Sequence, residues 1–491
     1  MESALYPANQ IIKERYTPYR VENGQRLPFE TVDYRPLLAP FDHELIASIG
    51  FMSENEAFEN LRTLKKFWAE KQIPLTHERI AILKRAAHRL DDKKQSFADL
   101  IAWEGGKPLK DARVEVARAI QALEWAAEEA GRMHGEEIPM SATAAASGHI
   151  AFTTIEPIGV VFAISAFNHP LNLIIHQVAP ALAVGCPVMI KPALETPLTC
   201  LHFLDLLYEA GLPVGMCLPL VCDNAVAEKI ARSAEISFLS FIGSSKVGWH
   251  LRSVLAPGTH VALEHGGAAP VIVDRSANLE QSVASLLRGG YYHSGQVCVS
   301  VQRIFVHEEI ADEFEKKFVS GVRKLQTGNP RHEATDCGPI IRRRDLERIH
   351  SLVTEAISLG AQLLIGGKAV GSCYEPTVLR DPPLKARVMT EEVFGPVVCL
   401  QPFRDIGQAI EFANCVEWRF QAAIYSQDLN SALQAARHLN ASAVMVNEST
   451  TFRVDWMPFR GDGPSGLGTG GIGYAMKDLT RKKMLVFKLA P

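Results

Sequence analysis

The residue best suited to covalent chemistry is Cys298, in Gly295-Gln296-Val297-Cys298. A cysteine in a core is a small hydrophobe, whereas one facing a cleft is a strong nucleophile. The glycine shortly before Cys298 relaxes the backbone, so the thiol can face a cleft. A second group, Glu264-His265-Gly266-Gly267, directly follows the apolar run Val261-Ala262-Leu263. A carboxylate there is either a solvated loop residue or a general base. A base that activates water against a thioester must move into hydrogen-bond reach of that water, and the paired glycines would give Glu264 room. The third group is Ala166-Phe167-Asn168-His169-Pro170, at the C-terminal end of an expected strand, the edge where open α/β sheets bind ligands. Asn168 either caps the next helix or donates to a developing oxyanion, worth roughly 3 to 4 kcal/mol.

Two further segments look like a nucleotide site. Lys191-Pro192-Ala193 closes a buried strand, and Gly243-Ser244-Ser245-Lys246-Val247-Gly248 joins a strand to a helix N-terminus, a natural phosphate seat. The G-x-G-x-x-G fingerprint is absent in its usual spacing. Glu391-Glu392-Val393-Phe394-Gly395-Pro396 offers a carboxylate and a ring, able to hold a ribose and flank a nicotinamide, or else forms an ordinary turn.

These groups need a frame. The first 40 or so residues have no clear period and read as an irregular arm. Residues 54–132 turn helical, with Ile80, Leu83, Ala87 and Leu90 at the spacing of a buried stripe. A polar, Gly/Ala/Ser-rich stretch at 133–148 breaks the pattern. From Pro157 strands and helices alternate: strands at 159–165, 187–191 and 236–242, helices at 171–184 and 198–210. A second series follows Glu264, with strands at 270–274 and 299–306 and helices at 279–288 and 310–325. This rhythm predicts two parallel-sheet α/β units with a cleft between them. Residues 483–489 alternate in β fashion and should complete a sheet elsewhere, in a partner subunit if not in the chain itself.

With 491 residues, 47% apolar and 22% charged, the chain has an ordinary globular composition and room for two or three domains. The 51 basic and 55 acidic residues give a net charge of -4, which argues against a broad nucleic-acid surface or a polybasic membrane anchor. The apolar stretch 171–184 is too short to span a bilayer, and residues 1–10 lack the blocks of a secretion signal. Nine scattered cysteines without C-x-x-C read as free thiols in a reducing, cytoplasmic compartment.

In this order and at these separations, the five segments resemble the aldehyde dehydrogenase superfamily, from about residue 54 to the C-terminus. The resemblance implies an α/β fold with a Rossmann-type cofactor domain (1–132 plus 155–263), an α/β catalytic domain (264–463) and a β oligomerisation flap (133–154 plus 464–491). It implies Cys298 as nucleophile, Glu264 as general base, and Asn168 with the Cys298 N–H at the oxyanion. Lys191 falls on the adenosine ribose, Gly243 and Ser244 at the pyrophosphate, Glu392 on the nicotinamide ribose, with Phe394 beside it. The cofactor is NAD or NADP, no metal is involved, and the assembly is a homodimer or homotetramer. CoA-acylating relatives and a non-catalytic binding protein on the same fold are the rivals. The carboxylate at Glu264 and the intact Cys298 and Asn168 speak against them.

Several positions depart from that pattern. His265 replaces a common leucine, Ala268 a usual polar residue, His293 an asparagine and Arg460 a glycine, while 465–469 lack the frequent arginine. His265 is read as a core histidine rather than a modulator of Glu264. Leu194 stands where NAD-preferring members often carry glutamate, although Glu195 could stand in. Arg118, His169 and Arg453 match substrate-facing positions of relatives acting on small anionic aldehydes, and residues 452–459 resemble phosphonoacetaldehyde dehydrogenases. Arg118 and Arg453 are equally open to a reading as ordinary ion pairs, and Val297 stands where such enzymes can carry a further arginine. A short anionic aldehyde is the expected substrate, and a neutral aliphatic or lactaldehyde-like one the alternative.

Overall fold

The computed structural model describes residues 15–30 and 32–489. Four helices come early: α1 (Glu54–Ala69), α2 (Thr76–Asp92), α3 (Lys94–Gly105) and α4 (Leu109–Ala130). Ser53 starts α1 through a reciprocal cap with Glu56. The buried stripe of α2 is Ile82, Leu83, Ala86, Ala87 and Leu90, so Ile80 gives its place to Ile82. The inner face of α4 is mostly alanine (Ala112, Ala119, Ala122, Ala126, Ala130), and small side chains let it lie close to its neighbours.

The expected alternation then appears. A six-stranded sheet runs Cys217–Pro219, Val188–Lys191, Val161–Ile164, Phe238–Ile242, His260–Glu264 and Gly466–Leu467. All neighbours are parallel except the last pair. Helix α5 (Asn172–Val184) covers this sheet and packs with α2 and α4 in one core. A seven-stranded sheet contains Ala269–Val273 beside Val301–His307 and Gln421–Tyr425, again parallel. Parallel strands covered on both faces read as continuous apolar runs, which is why their positions were legible.

Two features differ from expectation, the N-terminal arm and Gly466–Leu467, while the C-terminal strand completes a sheet as expected. The N-terminal arm, from residue 15 onward, is not irregular: Tyr19–Glu22 and Gln25–Pro28 form a hairpin, and Asp33–Leu38 pairs antiparallel with Leu45–Phe51. Asn23-Gly24, both at positive φ (49° and 74°), is the two-residue hairpin signal that the pattern reading overlooked. The rest of the expected arm, residues 1–14, lies outside the described residues. Thr480–Lys488 finds its partner in this chain, pairing antiparallel with His149–Pro157. Glu137–Ile138 completes that three-stranded sheet. Gly466–Leu467, grouped with the flap by sequence, instead extends the first sheet beside Leu263 and Glu264. No helix among the described residues is long and apolar enough to cross a membrane.

Candidate active site

Every residue singled out by sequence lines one continuous cleft of about 1310 Å³: Cys298, Glu264, Asn168, Lys191, Gly243, Ser244, Glu392, Phe394, Arg118, His169 and Arg453. Strand ends of the first sheet carry Lys191, the Gly243 turn and Glu264, and the loop after Val161–Ile164 carries Asn168. Cys298 comes from the segment between the helix Leu279–Tyr291 and the strand Val301–His307 of the second sheet. The cleft therefore joins the C-terminal edge of one sheet to a loop of the other.

The cysteine loop is unusual. His293, Ser294 and Gly295 all lie in the left-handed region (φ 48°, 54° and 70°). Gly295 is required twice over, because a Cβ there would also lie 2.1 Å from the Gly395 carbonyl oxygen. Ser294 Oγ donates to the Gly338 carbonyl at 2.9 Å. Gln296 braces the next residues, donating to the Pro339 carbonyl at 3.1 Å and accepting the Ile341 N–H at 3.0 Å.

Asn168 is not a helix cap. Its Nδ2 donates to the Gln296 carbonyl at 2.9 Å, which joins it to the cysteine loop and leaves one amide hydrogen for the cleft. The N-terminus of α5 is capped instead by Glu115, which accepts the N–H groups of Leu171 and Asn172 at 2.9 and 3.1 Å. Burial, with Glu392 and Glu264 nearby, pushes the Cys298 thiol well above its ordinary range, and Arg453 pulls against that shift. Burial also lifts Glu264 and Glu392, each to about 7. The room beside these carboxylates is not where the sequence put it. A Cβ on Gly266 would lie 1.6 Å from Glu392 Oε1, and one on Gly470 would lie 2.3 Å from Glu264 Oε1. Gly266 thus accommodates Glu392, and Gly470 accommodates Glu264.

The chain fits a dinucleotide. The buried Lys191 side chain has no hydrogen-bond or ion-pair partner among the described residues, and burial lowers its pKa. Glu392 Oε1 is likewise buried and unbonded. Both await polar groups of the kind a ribose supplies. Arg348 holds the Glu392 and Val393 carbonyls at 3.2 and 2.7 Å. Ser244 precedes the helix Ser245–Val254 and leaves its hydroxyl uncommitted to the cap. Glu195 is paired with Arg342 at 2.5 Å, so its charge is compensated from across the cleft. His265 is buried as expected: Nδ1 lies 3.0 Å from the Gly243 carbonyl, and the ring packs on Phe241 and Trp249.

At the substrate end the three expected cationic groups separate. Arg118 is a structural ion pair, donating to both Asp455 oxygens at 3.1 and 2.7 Å. Asp455, which sequence reasoning did not single out, also accepts from Asn172 and contacts His176 Nε2 at 2.7 Å. His169 is no cation: burial, with Lys107 and Arg118 nearby, drives its pKa well below the usual value. Arg453, unlike Arg118, has no ion-pair or hydrogen-bond partner among the described residues. It stacks on Phe459 with the guanidinium 3.9 Å from the ring centroid. Val297 is part of an apolar wall with Phe420 and Phe459.

A thiol, an amide donor and a carboxylate share one cleft with buried groups that fit a dinucleotide, an arrangement suited to redox chemistry on a small carbonyl compound. The chain belongs to the aldehyde dehydrogenase family, whose pattern matches residues 30–485. It is similar to 3-sulfolactaldehyde dehydrogenase of Priestia megaterium, 36% identical over 94% of this chain and 96% of the relative. The solved aldehyde dehydrogenase 21 of Physcomitrella patens, in complex with the reaction product succinate, superposes with a TM-score of 0.93. It is 34% identical, over 97% of this chain and 98% of that one. Glyceraldehyde-3-phosphate dehydrogenase of Methanocaldococcus jannaschii, complexed with NADP, gives 0.89 at 34% identity, over 94% and 100% of the two chains. The protein is an NAD(P)-dependent aldehyde dehydrogenase.

Proposed function

We propose that this enzyme oxidises a short aldehyde carrying a singly charged anionic group, through a thioester on Cys298. The Cys298 thiol, held protonated by burial, gives its proton to solvent in the cleft as its sulfur adds to the carbonyl carbon. The second Asn168 amide hydrogen and the Cys298 backbone N–H stabilise the oxyanion that forms. Glu392 and Phe394 would hold the nicotinamide, which when bound would supply the hydride acceptor for oxidation at the carbonyl carbon. Glu264 then takes a proton from water, which attacks the thioester and frees the carboxylate product and the Cys298 thiol. Lys191, Gly243 and Ser244 hold the adenosine and pyrophosphate end, and the neutral Leu194 with the compensated Glu195 admits both NAD and NADP.

The observation that carries the substrate class is Arg453, a cation near Cys298 and Glu264 with no ion-pair or hydrogen-bond partner among the described residues. With Arg118 committed to Asp455 and His169 neutral, Arg453 is the one of the three expected groups left to meet an anion, which suits a carboxylate or sulfonate better than a doubly charged phosphonate. A sulfolactaldehyde dehydrogenase and a succinate-bound enzyme among the relatives support that reading. The test is a panel of carboxylate, sulfonate, phosphonate and neutral aldehydes, each with NAD and NADP. Arg453→Met should raise KM for the monoanions by about 10- to 100-fold, the worth of a charged hydrogen bond, and leave neutral aldehydes unchanged. Equal shifts for both, or a preference for lactaldehyde, would put the neutral substrate first.

The same reading keeps the domain division given by sequence, with Gly466–Leu467 moved to the cofactor sheet. The β flap, exposing Ile150, Met484, Val486 and Phe487, joins subunits into a dimer or tetramer. Nine free cysteines support a cytoplasmic setting.

A further inference from the structure

Asp111 and Glu115 lie four residues apart at the start of α4, on one face of a rigid helix turn. They reach two different loops. Glu115 is fully buried; one oxygen takes the N–H groups of Leu171 and Asn172, and the other meets the Lys107 ammonium. Those amides open α5 only a few residues beyond Asn168, and Leu171 supplies no side-chain cap of its own. Asp111 accepts the N–H of His293 at 3.1 Å. His293 is the first of the three left-handed residues that lead to Cys298. A non-glycine residue in that region persists only where its surroundings hold it. The His293 ring supplies no such hold, since both of its nitrogens are buried without hydrogen-bond partners. Neither Asp111 nor Glu115 lines the cleft, so neither touches substrate.

We propose that Asp111 and Glu115 are positioning residues that set the distance between the Asn168 amide and the Cys298 N–H, each carboxylate holding one of the two loops from a single helix turn. The inference rests on the roles given above to Asn168 and Cys298. One donor of the oxyanion site belongs to the first sheet and the other to the second. The Asn168 side chain already meets the Gln296 carbonyl at 2.9 Å, and the two carboxylates fix the backbone of each loop behind that contact before substrate arrives; small displacements of such donors are costly in rate.

The test is the single-turnover rate of nicotinamide reduction, with cofactor Kd and thermal unfolding recorded for each variant. Asp111→Ala should slow that rate by about tenfold or more while the cofactor Kd stays constant. Asp111→Asn, which keeps an oxygen acceptor for the His293 N–H, should recover to within about threefold of the parent. On an Asn168→Ala background, where one donor is already gone, Asp111→Ala should cost at most about threefold. Should the alanine variant fail to fold, Asp111→Leu, close in shape and without an acceptor, replaces it.

An asparagine variant as slow as alanine, or a full tenfold loss on both backgrounds, overturns the proposal. An unchanged Asp111→Ala beside a slowed Asn168→Ala overturns it alone. An unchanged Asn168→Ala overturns the reading of the site as well.

Discussion

The two ends of the cleft are built on opposite electrostatic plans. At the substrate end Asp455 ties together Arg118, His176 and Asn172, and the charges are compensated within the protein. Of the two arginines expected there, Arg453 is left without an ion pair among the described residues. At the cofactor end Lys191 and Glu392 Oε1 lack partners among the described residues and are completed by whatever binds. The contrast teaches that a preformed ionic network narrows what a pocket accepts, because it leaves one group to answer the ligand. Unpaired buried groups instead make binding and stability depend on each other. Glu264 lies between the two ends, and its burial makes it a base only once the pH is high enough.

The largest expected effect falls on that intermediate position. Glu264→Gln should lower steady-state turnover by roughly 10²- to 10⁴-fold while the first turnover of nicotinamide reduction persists, because only thioester hydrolysis needs the base. Loss of the first turnover as well would assign Glu264 to activation of Cys298. In the parent enzyme the carboxylate forms as pH rises through about 7, so the hydrolytic step should speed up through that range. The same raised pKa makes the folded chain hold its proton more tightly than the unfolded one. This group's contribution to stability therefore declines from the ordinary carboxylate range up to about 7.

The next effect tests the compensated network. Asp455→Ala leaves the half-buried Arg118 without its partner and should cost about 3 kcal/mol in chemical denaturation. Asp455 is held well below the usual carboxylate range, so its stabilisation is present above that range and lost as pH falls through the lowered value. Arg453→Met abandons no ion pair, only the stacking on Phe459, and should lower Tm far less. Comparable destabilisation by both substitutions would erase the distinction between the two arginines.

The smallest effect belongs to the cofactor end. Glu195→Gln should change the NADP-to-NAD preference by less than about threefold, since Arg342 already compensates that charge at a partly exposed pair. A tenfold gain in NADP affinity would mean that the pair opens when cofactor binds.

Much of this site was legible because its groups lie at or near the ends of short, largely apolar strands whose runs stand out. Gly295-Gln296-Val297-Cys298 and Glu264-His265-Gly266-Gly267 could be found by type and spacing alone. What stayed hidden depends on distance along the chain. Nothing local connects Arg118 to Asp455, 337 residues away, so one arginine could not be told from the other. The neutrality of His169 follows from burial beside Lys107 and Arg118, which no motif reports. The N-terminal strands were missed for another reason: their Asn23-Gly24 turn was present but lay among polar residues with weak alternation.

The contact between Gly295 and the Gly395 carbonyl has a mechanical consequence. It leaves no room for a side chain between the backbone that leads to the sulfur and the backbone that follows Phe394, so neither segment can be pressed toward the other. Any change that pushes the Gly395 backbone inward displaces the cysteine loop as well. Their separation is set by a bare glycine pair rather than adjusted by side chains. Widening this enzyme's cofactor tolerance is expected to succeed at the adenosine end and to fail at the nicotinamide.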